Sequence, residues 1–204
     1  MHFSRGNGGL TMPDGGTWNL LACATNPDDM RAMAFAGAIA VALRDGRRPL
    51  IRGMDENEFQ RLLARHFPGA SLANGRCPAG DPSLDEFQDL VALLQEHAAD
   101  DGEDTRWLAL AVASAALGSN HLWQDLGLPS RRELNELLRR WFPSLHARNT
   151  GDMKWKKFFY RQLCERAEVL ICRSPSCAAC DDYHHCFGPE TADPEPVRWM
   201  PRPS

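Results

Sequence analysis

A chain of 204 residues, 43% hydrophobic and 25% charged, has the make-up of an ordinary soluble protein with room for one domain or one domain and an appendage. A formal charge of −4 provides no global basic field, so neither nucleic acid nor an anionic membrane is expected as a partner. The longest apolar run, Met33 to Leu43, is too short for a bilayer, which needs roughly 20 residues.

In chain order, residues 1–16 are Gly-rich and polar, the reading of a flexible N-terminus and not of a secretory signal, and a cytoplasmic location is expected. Residues 17–168 read as a helical scaffold. Thr17 caps a short helix through Ala24. Asn26, followed by Pro27-Asp28-Asp29, opens a longer one that stops at Gly46, because proline suits a first turn and carboxylates suit the helix dipole. Asp55 with Glu58 forms a capping-box pattern ahead of Phe59, Leu62, Leu63 and His66, and Pro68 ends that helix. Ser83 with Glu86 repeats the pattern before Phe87, Leu90, Val91 and Leu94. Trp107, Leu108, Ala111 and Ala115 mark a helix ending at Gly118, and Ser130 with Glu133 opens one bearing Leu134, Leu137, Leu138 and Trp141. No segment keeps a period of two for long, so the fold class is all-α.

The run from Glu58 to Pro68 resembles the run from Glu133 to Pro143, and each is followed by a loop asparagine, Asn74 or Asn149. This similarity fits a duplicated helix pair or two amphipathic helices that both end at proline. The final scaffold helix, about Asp152 to Glu168, places Trp155, Phe158, Phe159 and Leu163 on one face. Lys154, Lys156, Lys157 and Arg161 make it locally cationic. They read either as a docking surface or as the solvated face of an amphipathic helix.

Residues 169–188 form a cysteine-rich loop, and residues 189–204 a Pro-rich tail expected to be disordered. Four of the seven cysteines follow the pattern Cys172-x4-Cys177-x2-Cys180-x5-Cys186. In a reducing compartment such crowding favours metal ligation over disulfides. Structural zinc sites draw two Cys-x-x-Cys pairs from separate turns, and this chain has one such pair. The opening Cys-x4-Cys-x2-Cys instead matches the spacing that wraps an iron–sulfur cluster, so spacing favours iron–sulfur over zinc. Pro175 keeps the loop out of helical geometry, and the cationic helix before it would offset the charge of an anionic cluster.

His184 and His185 could supply an auxiliary ligand or a hydrogen bond to a cluster sulfur. Cys164 is either a fifth thiolate or a thiol packed beneath the loop. Cys23 and Cys77 have no ligand partner nearby in sequence. His66, His97, His121 and His146 are scattered singly and receive no role. No phosphate-binding glycine loop, nucleophile elbow or His-Glu-x-x-His is present, and no nucleophile–base pair is seen, so an enzyme is not expected.

Three stretches resemble the NifQ family of nitrogen-fixation proteins: His121 to Leu128 (HLWQDLGL), Met153 to Cys164 (MKWKKFFYRQLC), and the cysteine pattern running on through Phe187-Gly188-Pro189-Glu190. The resemblance is strong from about His121 to Glu190 and extends back to about Asp28. It implies a metallochaperone that carries molybdenum in a molybdenum–iron–sulfur cluster of MoFe3S4 type, or in an iron–sulfur precursor. The metal would go to the synthesis of the iron–molybdenum cofactor of nitrogenase. Cys172, Cys177, Cys180 and Cys186 would ligate the cluster, and the cofactor-assembly scaffold NifEN and the iron protein NifH would be partners. The donor at molybdenum stays open among a cysteine, His184, His185 and an oxygen ligand. Two other readings of the cysteine pattern are a small iron–sulfur electron-transfer protein and a zinc-stabilised binding module.

Overall fold

The computed structural model describes residues 20–77, 81, 83–167, 186–188 and 190. They form a single 3-10 turn at Leu20–Cys23 and eight helices: α1 (Met30–Arg44), α2 (Glu56–His66), α3 (Leu84–Glu96), α4 (Glu103–Ala116), α5 (Leu122–Asp125), α6 (Arg131–Trp141), α7 (Pro143–Arg148) and α8 (Trp155–Arg166). No strand occurs among the described residues, and the all-α expectation holds. Of the helices described, none is long and apolar enough to cross a membrane.

Two alanine-rich helices, α1 and α4, occupy the centre. Phe35, Ile39 and Val41 of α1, and Trp107, Leu108 and Val112 of α4, are fully buried, as is most of the small-residue surface between them. A helix that is apolar on nearly all sides has nowhere stable to sit except a core, which explains the Met33–Leu43 run without a membrane. The remaining helices bury one stripe each. α3 packs on α4 and α8, while α5 bridges α1, α4 and α6.

Small residues set the closest approach. A Cβ on Gly37 of α1 would stand 2.0 Å from the Leu126 carbonyl oxygen and 2.8 Å from Cα of Gly127. Gly127 itself turns at φ +61°, a conformation that disfavours a side chain. The α5–α6 connection therefore lies directly on the α1 backbone.

Local signals explain the helix starts. Asp55 accepts from the Glu58 amide at 2.8 Å, and Glu58 reaches back to the Asp55 amide at 3.3 Å, completing the capping box. Ser130 opens α6 as expected, accepting from the Arg132 amide, while its hydroxyl donates to the Glu133 carboxylate. The Ser83–Glu86 pattern is not a capping box. The Ser83 hydroxyl donates to Asp81 at 2.7 Å, and Glu86 instead accepts the Tyr160 hydroxyl of α8. In α1, Asp29 and not Asn26 is the cap, because Asn26 closes a turn on the Asp28 amide just before it.

The two Phe-Pro ends share a backbone. Phe67 lies at φ −134°, ψ 60° and Phe142 at φ −135°, ψ 55°. They then diverge: Pro68 enters a turn, whereas Pro143 starts α7 instead of a loop, where its missing N–H costs nothing. Both loop asparagines act as backbone mimics. Buried Asn74 accepts from the Ile51 amide and donates to the Ile51 and Met54 carbonyls. Asn149 accepts from the Met153 amide and donates to the Met153 carbonyl, both at 2.9 Å. That second clamp holds Asp152 at φ +52°, so α8 begins at Trp155 and not near Asp152.

Candidate functional site

Of the four expected thiolate ligands, Cys186 is described. Cys172, Cys177 and Cys180 lie outside the described residues, as do His184 and His185. Among the described residues no group of three His, Cys, Asp or Glu side chains is placed to hold a metal. Cys186 meets the scaffold at a seat beside α8.

That seat is built from the lead-in to α8. The Lys154 amide donates to the Cys186 carbonyl at 2.8 Å. Cys186 is half-buried, and with Phe187 it packs on the edge of the core. Phe187 lies over Gly151, where an added Cβ would come within 3.3 Å of the ring. A cleft of about 450 Å³ opens beside it, lined in part by Arg148, Asn149, Arg161, Gln162 and Phe187. Asn149 fixes the height of this floor through its two bonds to Met153.

Glu190 continues the return. Its side chain is only 6% exposed, and Arg131 of α6 meets it at 3.2 Å. The same guanidinium donates to the Asp152 carbonyl at 2.8 Å, to Asp152 Oδ1 at 2.9 Å and to the Met153 carbonyl at 3.0 Å. His121 Nδ1 stands 4.0 Å from the same Glu190 oxygen. Composition assigns Glu190 to the tail and gives His121 no role, yet both sit at this seat. Neither Arg131 nor Asp125 is singled out by spacing, since their partners lie 59 and 31 positions away.

α8 is locked to the scaffold from three sides. Trp155, Phe158, Phe159 and Gln162 are its buried residues, and Leu163 is half-buried instead of buried. Trp155 Nε1 donates to Asn135 of α6 at 2.6 Å, and its ring packs edge-on to Phe158, with centroids 5.6 Å apart. Tyr160 bonds Glu86 of α3. Burial, reinforced by the Glu86 carboxylate, raises its phenol well above the ordinary value.

The third lock is Lys156, whose ammonium donates to Asp125 Oδ2 at 2.5 Å and to the Gly118 carbonyl at 2.7 Å instead of lying on a solvated face. Asp125, 1% exposed at its side chain, also accepts the Asn120 amide at 3.1 Å and the Asn120 side chain at 3.0 Å. Burial pushes the Lys156 ammonium below its ordinary range, and the Asp125 charge opposes that shift. An isolated charge at this depth would be untenable, so the two residues are obligate partners. Of the other cationic residues, Lys157 is exposed, Lys154 is half-buried, and Arg161 is exposed and pairs with Glu165 at 2.8 Å. Cys164 is a free, half-buried thiol on the same helix.

The lone histidines are accounted for structurally. His66 is bonded to Asp104 at 3.2 Å, His97 to Ser144 at 2.7 Å, and His146 packs against Trp155. Cys23 packs on the core, and Cys77 lies 3.3 Å from Asp81.

Replacing Asp125 by alanine strands the Lys156 ammonium and is expected to cost about 3–5 kcal/mol in urea unfolding. The paired change Asp125→Leu with Lys156→Met is expected to recover most of that loss. Additive losses in the double variant would contradict the pairing.

The NifQ family model matches residues 34–188 of the chain. Protein NifQ of Klebsiella pneumoniae is 51% identical over 152 residues, covering 70% of this chain and 89% of that protein. Protein NifQ of Azotobacter vinelandii is 42% identical over 162 residues, covering 72% and 83%. Protein NifQ of Rhodobacter capsulatus is 36% identical over 173 residues, covering 82% and 96%. No solved structure matches the chain. The matched span takes in α5, α8 and Cys186, whose carbonyl accepts the Lys154 amide at the lead-in to α8. The chain belongs to the NifQ family, a membership that supports a nitrogen-fixation-related role.

Proposed function

We propose that this protein is a carrier and not a catalyst, holding molybdenum with iron and sulfide as cargo on Cys172, Cys177, Cys180 and Cys186. The cargo would be donated for synthesis of the iron–molybdenum cofactor of nitrogenase. One observation carries the reading furthest. Cys186, the last thiolate of an iron–sulfur-like spacing, is seated by its backbone on the lead-in to α8, where the described parts of the family-like stretches converge.

The chemistry suits a cargo. Thiolates are soft donors for iron, and the donor at molybdenum remains one of several: a thiolate, His184, His185 or an oxygen ligand. Cys164 is a candidate auxiliary thiolate on the helix that leads into the segment. A carrier must also release its metal. The described end of the segment meets the scaffold through the Lys154–Cys186 backbone bond, the Arg131–Glu190 pair and Phe187 at the edge of the core, contacts that open at lower free energy than the core does.

Partner docking falls to the exposed cation Lys157, with Lys154 and Arg161 beside it; Lys156 is withdrawn into the Asp125 pair. The assembly scaffold NifEN and the iron protein NifH are the proposed recipients. Each would present an acidic surface to this helix.

Protein purified without oxygen from cells supplied with molybdate is expected to contain iron and molybdenum. A Cys177→Ala, Cys180→Ala double variant is expected to lose both, as read by elemental mass spectrometry. Zinc alone, or metals indifferent to the substitutions, would overturn the reading. Lys157→Glu is expected to slow molybdenum transfer to the cofactor-assembly scaffold several-fold at unchanged metal content, and more so at low salt. An unchanged transfer rate would remove this face from docking.

A further inference from the structure

We infer that Arg131 and Glu190 form a clasp that fastens the return end of the cysteine segment to the scaffold and thereby governs how tightly Cys186 holds metal. The inference rests on the carrier reading for its metal half only. The clasp itself is read from contacts.

Arg131 opens α6 and is 19% exposed at its side chain, with Glu190 at 6%. A carboxylate this withdrawn from water needs a cation, and Arg131 provides it at 3.2 Å. The other terminal nitrogen of the same guanidinium bonds the Asp152 carboxylate and the carbonyls of Asp152 and Met153. One planar group therefore ties the segment leaving Cys186 to the turn that leads into α8. Lys154, next along that turn, donates its amide to the Cys186 carbonyl. The stretch that begins at Cys186 and ends at Glu190 is pinned at both ends, by a backbone bond at Cys186 and a charged bond at Glu190. Phe187 is wedged over Gly151 between them.

The attachment is economical in contacts. Among the described residues Arg131 Nε and Glu190 Oε2 are both buried without a hydrogen-bond partner, so the pair meets through a single bond and not a bidentate fork. His121 Nδ1, at 4.0 Å from the engaged Glu190 oxygen, adds a favourable charge only when protonated. Such a junction is strong enough to place Cys186 and local enough to open without unfolding the helices. Arg131 and Glu190 are positioning residues for the fourth thiolate; they act through the backbone of residues 186–190.

Amide hydrogen exchange of the whole metal-free chain tests the clasp independently of cargo. Glu190→Ala is expected to speed exchange at the Lys154 amide about tenfold, the loss of one charged hydrogen bond. Val112 in α4 should exchange as before. Glu190→Gln, which keeps an acceptor for Arg131, should fall between the two. Unchanged Lys154 exchange in Glu190→Ala, or acceleration shared equally by Val112, would overturn the clasp.

The metal half is read in protein loaded with iron and sulfide, by iron loss to a ferrous chelator. Loss is expected to quicken in Glu190→Ala in proportion to Lys154 exchange. Faster exchange with unchanged iron loss would overturn the link to metal retention. A wild-type chain that takes up no iron would sink the carrier reading while leaving the exchange result to decide the clasp.

Discussion

An aspartate whose side chain is 1% exposed organises this molecule. Asp125 sits at the end of the short helix α5, takes the Lys156 ammonium of α8 and both nitrogens offered by Asn120, and lies so close to Gly118 that a Cβ there would stand 2.4 Å from it. Neither charge is tolerable alone at this depth, so α5 and α8 are held to one relative placement. The α5–α6 connection is in turn pressed on α1 at Gly37, and Trp155 hydrogen-bonds α6. The lead-in to α8, and with it the place where Cys186 returns, inherits its position from this chain of constraints.

The consequence is a division of labour. The helices supply a close-packed base in which α1 and α4 bury their surfaces almost completely. The seat for the cysteine segment is polar and local: an asparagine bracing Met153, an amide meeting the Cys186 carbonyl, and an arginine reaching Glu190. Opening the described part of this seat disturbs the packing of Cys186 and Phe187 at the core's edge, whereas opening the base would disturb the core itself. A metal carrier gains from that difference, because retention and release can be tuned at the seat while the fold stays intact.

What was legible in the sequence was what is decided locally. The Asp55–Glu58 box reads correctly because both bonds close within one helical turn, and the all-α class follows from period alone. Ser83–Glu86 reads wrongly because an upstream neighbour, Asp81, takes the Ser83 hydroxyl and a tertiary partner, Tyr160, takes the Glu86 carboxylate. Lys156 looks like one cation among several, since nothing within its own helix announces a buried carboxylate 31 positions earlier. Glu190 looks like tail, because composition sees the prolines around it and not Arg131. The cysteine pattern was the clearest functional signal, and it is carried by residue type and spacing, which need no tertiary context.

The proposed carrier holds molybdenum with iron and sulfur and not as a free oxyanion. X-ray absorption at the molybdenum edge, on protein loaded in cells and purified without oxygen, reads the neighbours of that metal directly. A scattering shell of sulfur with iron beyond it is the predicted result. A shell of oxygen alone would contradict the account.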